Sequence, residues 1–406
     1  GISTFRSQGR LTLQSMAQIG ENRRKDLIAW LAANEPAWAH YETASRCSGY
    51  HKTYRYDRSR RILPCLMEVT TDSPMLVHLR YLSEVGIWKS RLAAEQGHLD
   101  DALDACLAIA RTCAHLQTGT CLLDQLFGMA FGAMVRLEVL RIVAEHELSA
   151  AALGRVQTAL AQLYGVEYPS VSFEGERLVL LDAVQHGFTE GGLGGGHMIP
   201  GQYAVILEQT AIPQGAQATR WTRAIFRVID VGLSVTHVRR NKTVARINEL
   251  HDEISRRSRL SPYQRHVSGT RELVDSVCWY RYGFAFMLLP AERRVSELAF
   301  RSRAGHEATL TILALKRYRM EKGMYPADLK SLVDSGYLDD VPMDPYSDGP
   351  LIYRCVGDEF LLYSVGPDFV DGEGTPGVDH EGQPKTWAEH GDMVFWPPGR
   401  SLAIAD

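Results

Sequence analysis

The sequence predicts a mainly α-helical protein, a helical bundle or array forming the body and a small α+β head at the C-terminal end. Three observations predict it. Apolar residues recur at helical spacing from Met75 to about Leu163. Short β-enriched runs bounded by Gly, Asp and Pro are scarce before about residue 350. Near 290–305 the helix-rich body yields to an acidic segment rich in Gly, Pro and Asp. The 406 residues are 45% hydrophobic and 23% charged, a balance that suits a folded chain with a large core and argues against disorder. The expected divisions are a first part of the body over 1–165, a second part with a Gly-rich loop over 166–300, and the head over 301–406.

Taken in order, residues 8–34 carry helical spacing (Leu11, Ile19, Leu27, Leu31) that should end before Pro36. The Tyr- and Arg-rich tract Tyr50 to Arg61 could stack single-stranded nucleic acid, but its alternation suits an exposed strand or loop, and no nucleic acid is expected as a partner. The long helical stretch is broken at Gly97-His98, Thr118-Gly119 and Ser149. Ala93, Gly97, Leu99, Ala102 and Leu103 fit one tetratricopeptide-like hairpin; since a solenoid needs about three units, a lone hairpin in a bundle is expected. A further helix over Leu178 to Val184 stops at a glycine cluster, and helical spacing resumes from Thr219 to about Arg257 and from Gln264 to Leu289.

Charge is unevenly placed. Arg220 to Arg301 holds 16 basic against 8 acidic residues, and Tyr325 to Asp406 holds 4 against 16. The basic stretch could meet nucleic acid or an anionic lipid surface, but its arginines are interleaved with acids, which predicts a solvated or internally paired face. Seven widely spaced cysteines form no Cys-x-x-Cys pair and are expected to be mostly buried thiols. No run reaches the ~18 apolar residues of a spanning helix; Val277 to Pro290 comes nearest and contains Arg281. The chain opens Gly1-Ile2-Ser3 without methionine, which predicts a processed or shortened terminus, so that membrane attachment would come only through an anchor ahead of it.

Several catalytic signatures fail. Glu190 to His197 is glycine-rich, but His197-Met198 stands where a Walker loop needs Lys-Ser/Thr, and the preceding Leu178 to His186 reads as helix rather than the strand of a dinucleotide fold. His146-Glu147 would need a second histidine at Ala150 to bind zinc. Leu362 replaces the first glycine of a nucleophile elbow around Ser364.

From Ala308 the order of elements becomes specific: an apolar-periodic helix Leu310 to Lys322, Gly323-Met324-Tyr325-Pro326, a short helix Asp328 to Ser335, Pro342-Met343-Asp344-Pro345, strands over Leu351 to Val356 and Glu359 to Ser364, then Ser364-Val365-Gly366-Pro367-Asp368. This succession resembles the globular head of the type II secretion major pseudopilin over roughly 307–396. The resemblance implies a calcium loop, with the carbonyl of Val365 and the carboxylates of Asp368 and Asp392 as ligands. Asp371 or Asp379 would stand in for the second acid that the family places before the closing strand Met393-Val394-Phe395-Trp396. Independently of the name, an acidic Gly/Asp loop suits a hard cation that takes six to eight oxygens; a solvated acidic loop is the alternative. The loop from Asp371 to His390 is longer than in the family. Some 300 residues precede the head, so an ordinary filament subunit is not expected. With Gly175-Glu176-Arg177 and Gly191 to Gly196, the layout is also similar to bacterial envelope proteins that join a helical body to such a head.

These readings point to a non-enzymatic, envelope-associated structural or protein-binding protein with a calcium-stabilised head and a protein partner. Two alternatives stand beside it: a hydrolase acting on a polymer in a groove between body and head near Glu174, Glu176, Asp182 and the Gly191 to Gly196 loop, and a cytoplasmic helical scaffold.

Overall fold

The computed structural model describes residues 19–51, 74–164, 171–201, 219–269, 273, 277–278, 281–283, 289–380, 382 and 385–397. Helix α1 (Glu21–Ser45) buries Leu27, Leu31, Trp38 and Tyr41. It runs through Pro36 instead of ending before it, as its sequence predicts. The proline removes one hydrogen bond, but Trp38 and Tyr41 beyond it are only 3% and 5% exposed, and their burial outweighs the loss. The tract over 52–61 lies outside the described residues.

Four helices follow: α2 (Pro74–Glu95), α3 (Leu99–Gln117), α4 (Leu122–Glu145) and α5 (Ala150–Ala161). Their breaks fall at the polar turns read from the sequence. Ser149 caps α5 by accepting the Ala152 N–H at 3.1 Å. The central α3 buries Leu103, Cys106, Ile109 and Cys113, and burial pushes both thiols up to about 12, so they stay protonated and unreactive. Among the described residues, Cys47, Cys106, Cys113, Cys121, Cys278 and Cys355 take part in no disulfide. Inside this bundle Glu138, 2% exposed on its side chain, is paired with Arg91 at 3.0 Å and Arg141 at 2.6 Å.

Helix α6 (Glu174–Gly187) leads to a glycine turn at Leu193–Gly195, and then come α7 (Arg220–Thr236), α8 (Arg240–Ser258) and α9 (Pro262–Val267). Thr243, Ile247, Leu250 and Ile254 give α8 one buried stripe, and ion pairs such as Arg246–Glu249 and Arg257–Glu253 line its surface. Helix α9 begins with a Ser261/Gln264 capping box and Pro262. It stops after six residues, where a helix to Leu289 is expected from sequence; Ser268 and Gly269 form a turn, with Gly269 at a φ of +59°.

The 34-residue α10 (Leu289–Lys322) contributes to the two larger apolar cores of the described residues. Its first half, through Val295 and Ala299, joins a core with Phe173, Val184, Met198, Ile247 and Ile254. Its second half buries Ala308, Ile312, Leu313 and Leu315 completely, in a core that holds Leu27, Ile109 and Val139 of the bundle together with Leu332, Phe360, Leu362 and Trp396 of the head. The 300/301 boundary drawn from sequence falls inside this helix.

The head is a short helix α11 (Lys330–Asp334) and a three-stranded antiparallel sheet in the order β1 (Ile352–Val356), β2 (Glu359–Ser364), β3 (Met393–Trp396). The fold is therefore mainly helical with one small sheet near the C-terminal end. Tyr353 faces Leu362 across β1 and β2, and Ser364 faces Met393 across β2 and β3. Among the described residues, no helix is long and apolar enough to cross a membrane.

Candidate functional site: the carboxylate loop and the cleft beside it

The 28 residues between β2 and β3 carry the predicted ligand positions, and four aspartates shape their path. Asp344, in the Pro-x-Asp-Pro turn, is 3% exposed and anchors the start of the loop. Its Oδ1 accepts the Ser364 hydroxyl at 2.7 Å and the Tyr346 N–H at 3.0 Å, and its Oδ2 accepts the Val365 N–H at 2.9 Å. Burial pushes its carboxyl above the usual range, against the pull of those donors. The chain then turns at Gly366, whose φ is +79° and where a Cβ would lie 2.5 Å from the Gly391 carbonyl oxygen, so only glycine lets the two ends of the loop meet.

Asp368 accepts the Val370 N–H at 3.2 Å and, across the loop, the Gly391 N–H at 2.8 Å. Asp392, 3% exposed, accepts the Gly372 N–H at 3.1 Å and the Gly374 N–H at 2.6 Å, so one side chain gathers the middle of the loop. Burial raises its carboxyl above the usual range, and the nearby Asp371 and Asp368 raise it further, which puts these three acids in one electrostatic neighbourhood. Asp371 accepts the Tyr363 hydroxyl at 2.9 Å and the Glu373 N–H at 2.8 Å, and pairs with Arg354 at 3.6 Å.

Of the predicted ligand positions, Asp368 and Asp392 each tie distant parts of the loop together through backbone amides, Asp371 ties it to Tyr363 of β2, and Val365 stands at the entrance of the same loop. Asp379 sits in a separate turn that its carbonyl closes with the Gly382 N–H at 3.1 Å. Among the described residues, no group of three or more His, Cys, Asp or Glu side chains is arranged to hold a metal ion. The donor chemistry nevertheless fits a hard cation, being all oxygen. Each bonded oxygen of Asp368 and Asp392 accepts one amide, and a carboxylate oxygen has room for a second contact.

The loop also reaches the body. Phe369, held at a φ of +62°, stacks on His266 of α9 with ring centroids 4.2 Å apart and lies 5.9 Å from Tyr346. Arg301 of α10 donates to the Tyr346 hydroxyl at 2.8 Å, and that hydroxyl donates to Glu297 at 3.0 Å. Beside these rings lies a cavity of about 300 Å³ whose walls include Arg257, Arg265, His266, Glu292, Tyr346 and Phe369. Arg265 donates to Glu292 at 2.9 Å there.

Glu174, Glu176 and Asp182 do not line this cavity. Glu174 is bound by Arg177 and lies 3.3 Å from His251, while Asp182 is 3.7 Å from His186. Glu176 accepts the Leu122 N–H at 2.7 Å and so caps α4. Gly175 makes that possible, because a Cβ there would stand 2.1 Å from the Thr120 carbonyl oxygen. Arg177 completes the Gly-Glu-Arg motif by donating to Asn248 of α8 at 3.0 Å, so the motif joins three helices. The Gly191 to Gly196 loop closes onto the start of α8, where the Gly196 carbonyl accepts the Arg240 N–H at 3.2 Å.

Asp344 is the residue of this site that sequence reasoning missed as a functional position. Its signal was present in the Pro-x-Asp-Pro turn, but two of its partners, Ser364 and Val365, lie 20 and 21 residues away. No protein-family model, no curated protein and no solved structure matches this chain.

Proposed function

We propose that this chain is a non-enzymatic, envelope-associated protein that acts by binding a protein partner, and that its head is a calcium-stabilised module resembling the pseudopilin head. The observation that carries the reading is the double role of one loop. Its carboxylates Asp368 and Asp392 draw the two ends and the middle of the loop together through the Gly391, Gly372 and Gly374 amides, and its Phe369 forms a wall of the cleft against the body. A cation bound at the root would order the loop by offsetting the mutual repulsion of these acids. Val365, Asp368 and Asp392 would hold it, with Asp371 beside them. Ordering the root holds Phe369 against His266 and thereby shapes the cleft. The cleft sets Arg265 and His266 beside Glu292 and Glu297, so a partner segment entering it would meet polar groups of both signs around the rings of Tyr346 and Phe369.

Photo-crosslinking from position 293, an exposed residue of α10 at the rim of the cleft, tests this. A discrete adduct with an envelope protein is expected in calcium, and it should disappear in chelator and in Asp368→Ala. An adduct that is indifferent to both would contradict the reading.

A further inference from the structure

We infer that α7 is an interfacial helix that lays its outward face on an anionic lipid bilayer. Trp221, Ile225, Val228, Val231 and Val235 are 81%, 57%, 73%, 55% and 80% exposed. At about 100° per residue they fall on one continuous arc of the helix, together with Ala224 and Gly232. Such a row of bulky apolar side chains turned outward is the reverse of an ordinary surface helix, which hides its apolar stripe. Asp230 shows the inversion from the other side: the helix's single acid is 1% exposed and accepts the Gly201 N–H.

Charge selects the occupant. Arg220, Arg223 and Arg227 run along one edge of the apolar arc, and Arg239, Arg240 and Lys242 follow at the start of α8. A second copy of the same face would oppose arginine to arginine. An anionic bilayer is complementary in both respects. Headgroup phosphates take the arginines, and the acyl boundary takes a convex apolar ridge that needs no preformed groove. The 17 residues span roughly 25 Å, and with three arginines the helix suits lying in the interface rather than crossing it.

This inference deepens the proposed envelope association and rests on it, but it is tested on the purified chain alone. A failure here would therefore leave the calcium-stabilised head to be judged by its own measurement. The full chain is floated with vesicles of phosphatidylcholine, with and without phosphatidylglycerol, at low and high salt. Binding to the anionic vesicles only is expected, weakened by salt. The doubly substituted Arg220→Glu/Arg227→Glu protein should bind at least about tenfold more weakly, since each arginine near such a surface contributes about a fivefold factor. Ile225→Asp should abolish binding while circular dichroism and the thermal midpoint stay unchanged, because the side chain is already in solvent. Equal binding to both vesicle types, no binding to anionic vesicles, or full binding by Ile225→Asp would overturn the assignment. So would a dimer that Ile225→Asp dissociates in a protein that ignores vesicles, since the face would then belong to a second copy.

Discussion

Asp344 accepts the hydroxyl of Ser364 at 2.7 Å, and this buried bond pins the Pro-x-Asp-Pro turn to the last residue of β2. The same carboxylate takes the Val365 and Tyr346 amides, so it decides where the loop begins. Asp344→Ala should cost about 3 kcal/mol, because the buried donors lose their acceptor. Asp344→Asn keeps one acceptor oxygen but turns an amide group toward remaining donors, so it should lose about half as much. Urea midpoints of the two variants check the order.

His306 should make the protein acid-sensitive. Burial, assisted by Arg136, pushes its imidazole down to about 3 from an ordinary 6.5. The folded state thus prefers the neutral ring, and the stability this contributes is complete above pH 6.5. It is lost as pH falls from 6.5 toward 3, by up to about 1.4 kcal/mol per pH unit. The ring meets Tyr164 edge-on at 4.9 Å, a contact that phenylalanine can keep. Unfolding measured at pH 7 and pH 5 should show a smaller loss for His306→Phe than for the unmodified protein.

Gly175→Ala should destabilise by about 3 kcal/mol, the upper end for overpacking, because the added methyl meets the backbone oxygen of Thr120 and not a yielding side chain. Glu176 then loses its position at the start of α4. The denaturant midpoint of the variant is the check.

A fragment beginning near residue 300 should fail to fold cooperatively. Ile312, Leu313 and Leu315 belong to one core with Leu27, Ile109 and Val139, and without the bundle each would expose a side chain whose burial contributes about 1.5–3 kcal/mol. A sharp thermal transition in the soluble fragment would count against this packing.

Most of the fold was legible where local pattern decides it. The three strands lie within a residue of the runs read for 351–356, 359–364 and 393–396, since short β-rich segments between turn residues have few other solutions. Where distant contacts decide, the reading stopped short. Nothing local to Pro36 announces the pocket that buries Trp38 and Tyr41. The end of α9 did have a local signal in Ser268-Gly269, which the helical spacing read onward from Gln264 passed over. At the site, the pseudopilin resemblance singled out Asp368 and Asp392, and the acidic, Gly-rich character of the loop was legible from its residues. The hold of Asp344 on Val365 was not, because it spans 21 residues. Asp379 could not be separated from its neighbours by spacing alone in so long a loop.

Calcium binding at the loop root is the central claim, and calorimetry of chelator-treated protein tests it most directly. Asp392, raised by burial and by its acidic neighbours, costs stability as it ionises, so the metal-free protein weakens as pH rises through the range between the ordinary and the raised carboxylate values. Calcium should reverse that loss and raise the thermal midpoint, by about 2.7 kcal/mol when free calcium is a hundred times Kd. Magnesium, with its tighter octahedral shell, should do little. The account predicts a calcium-dependent midpoint in the unmodified protein and none in Asp368→Ala; equal midpoints with and without calcium, or an undiminished response in the variant, would contradict it.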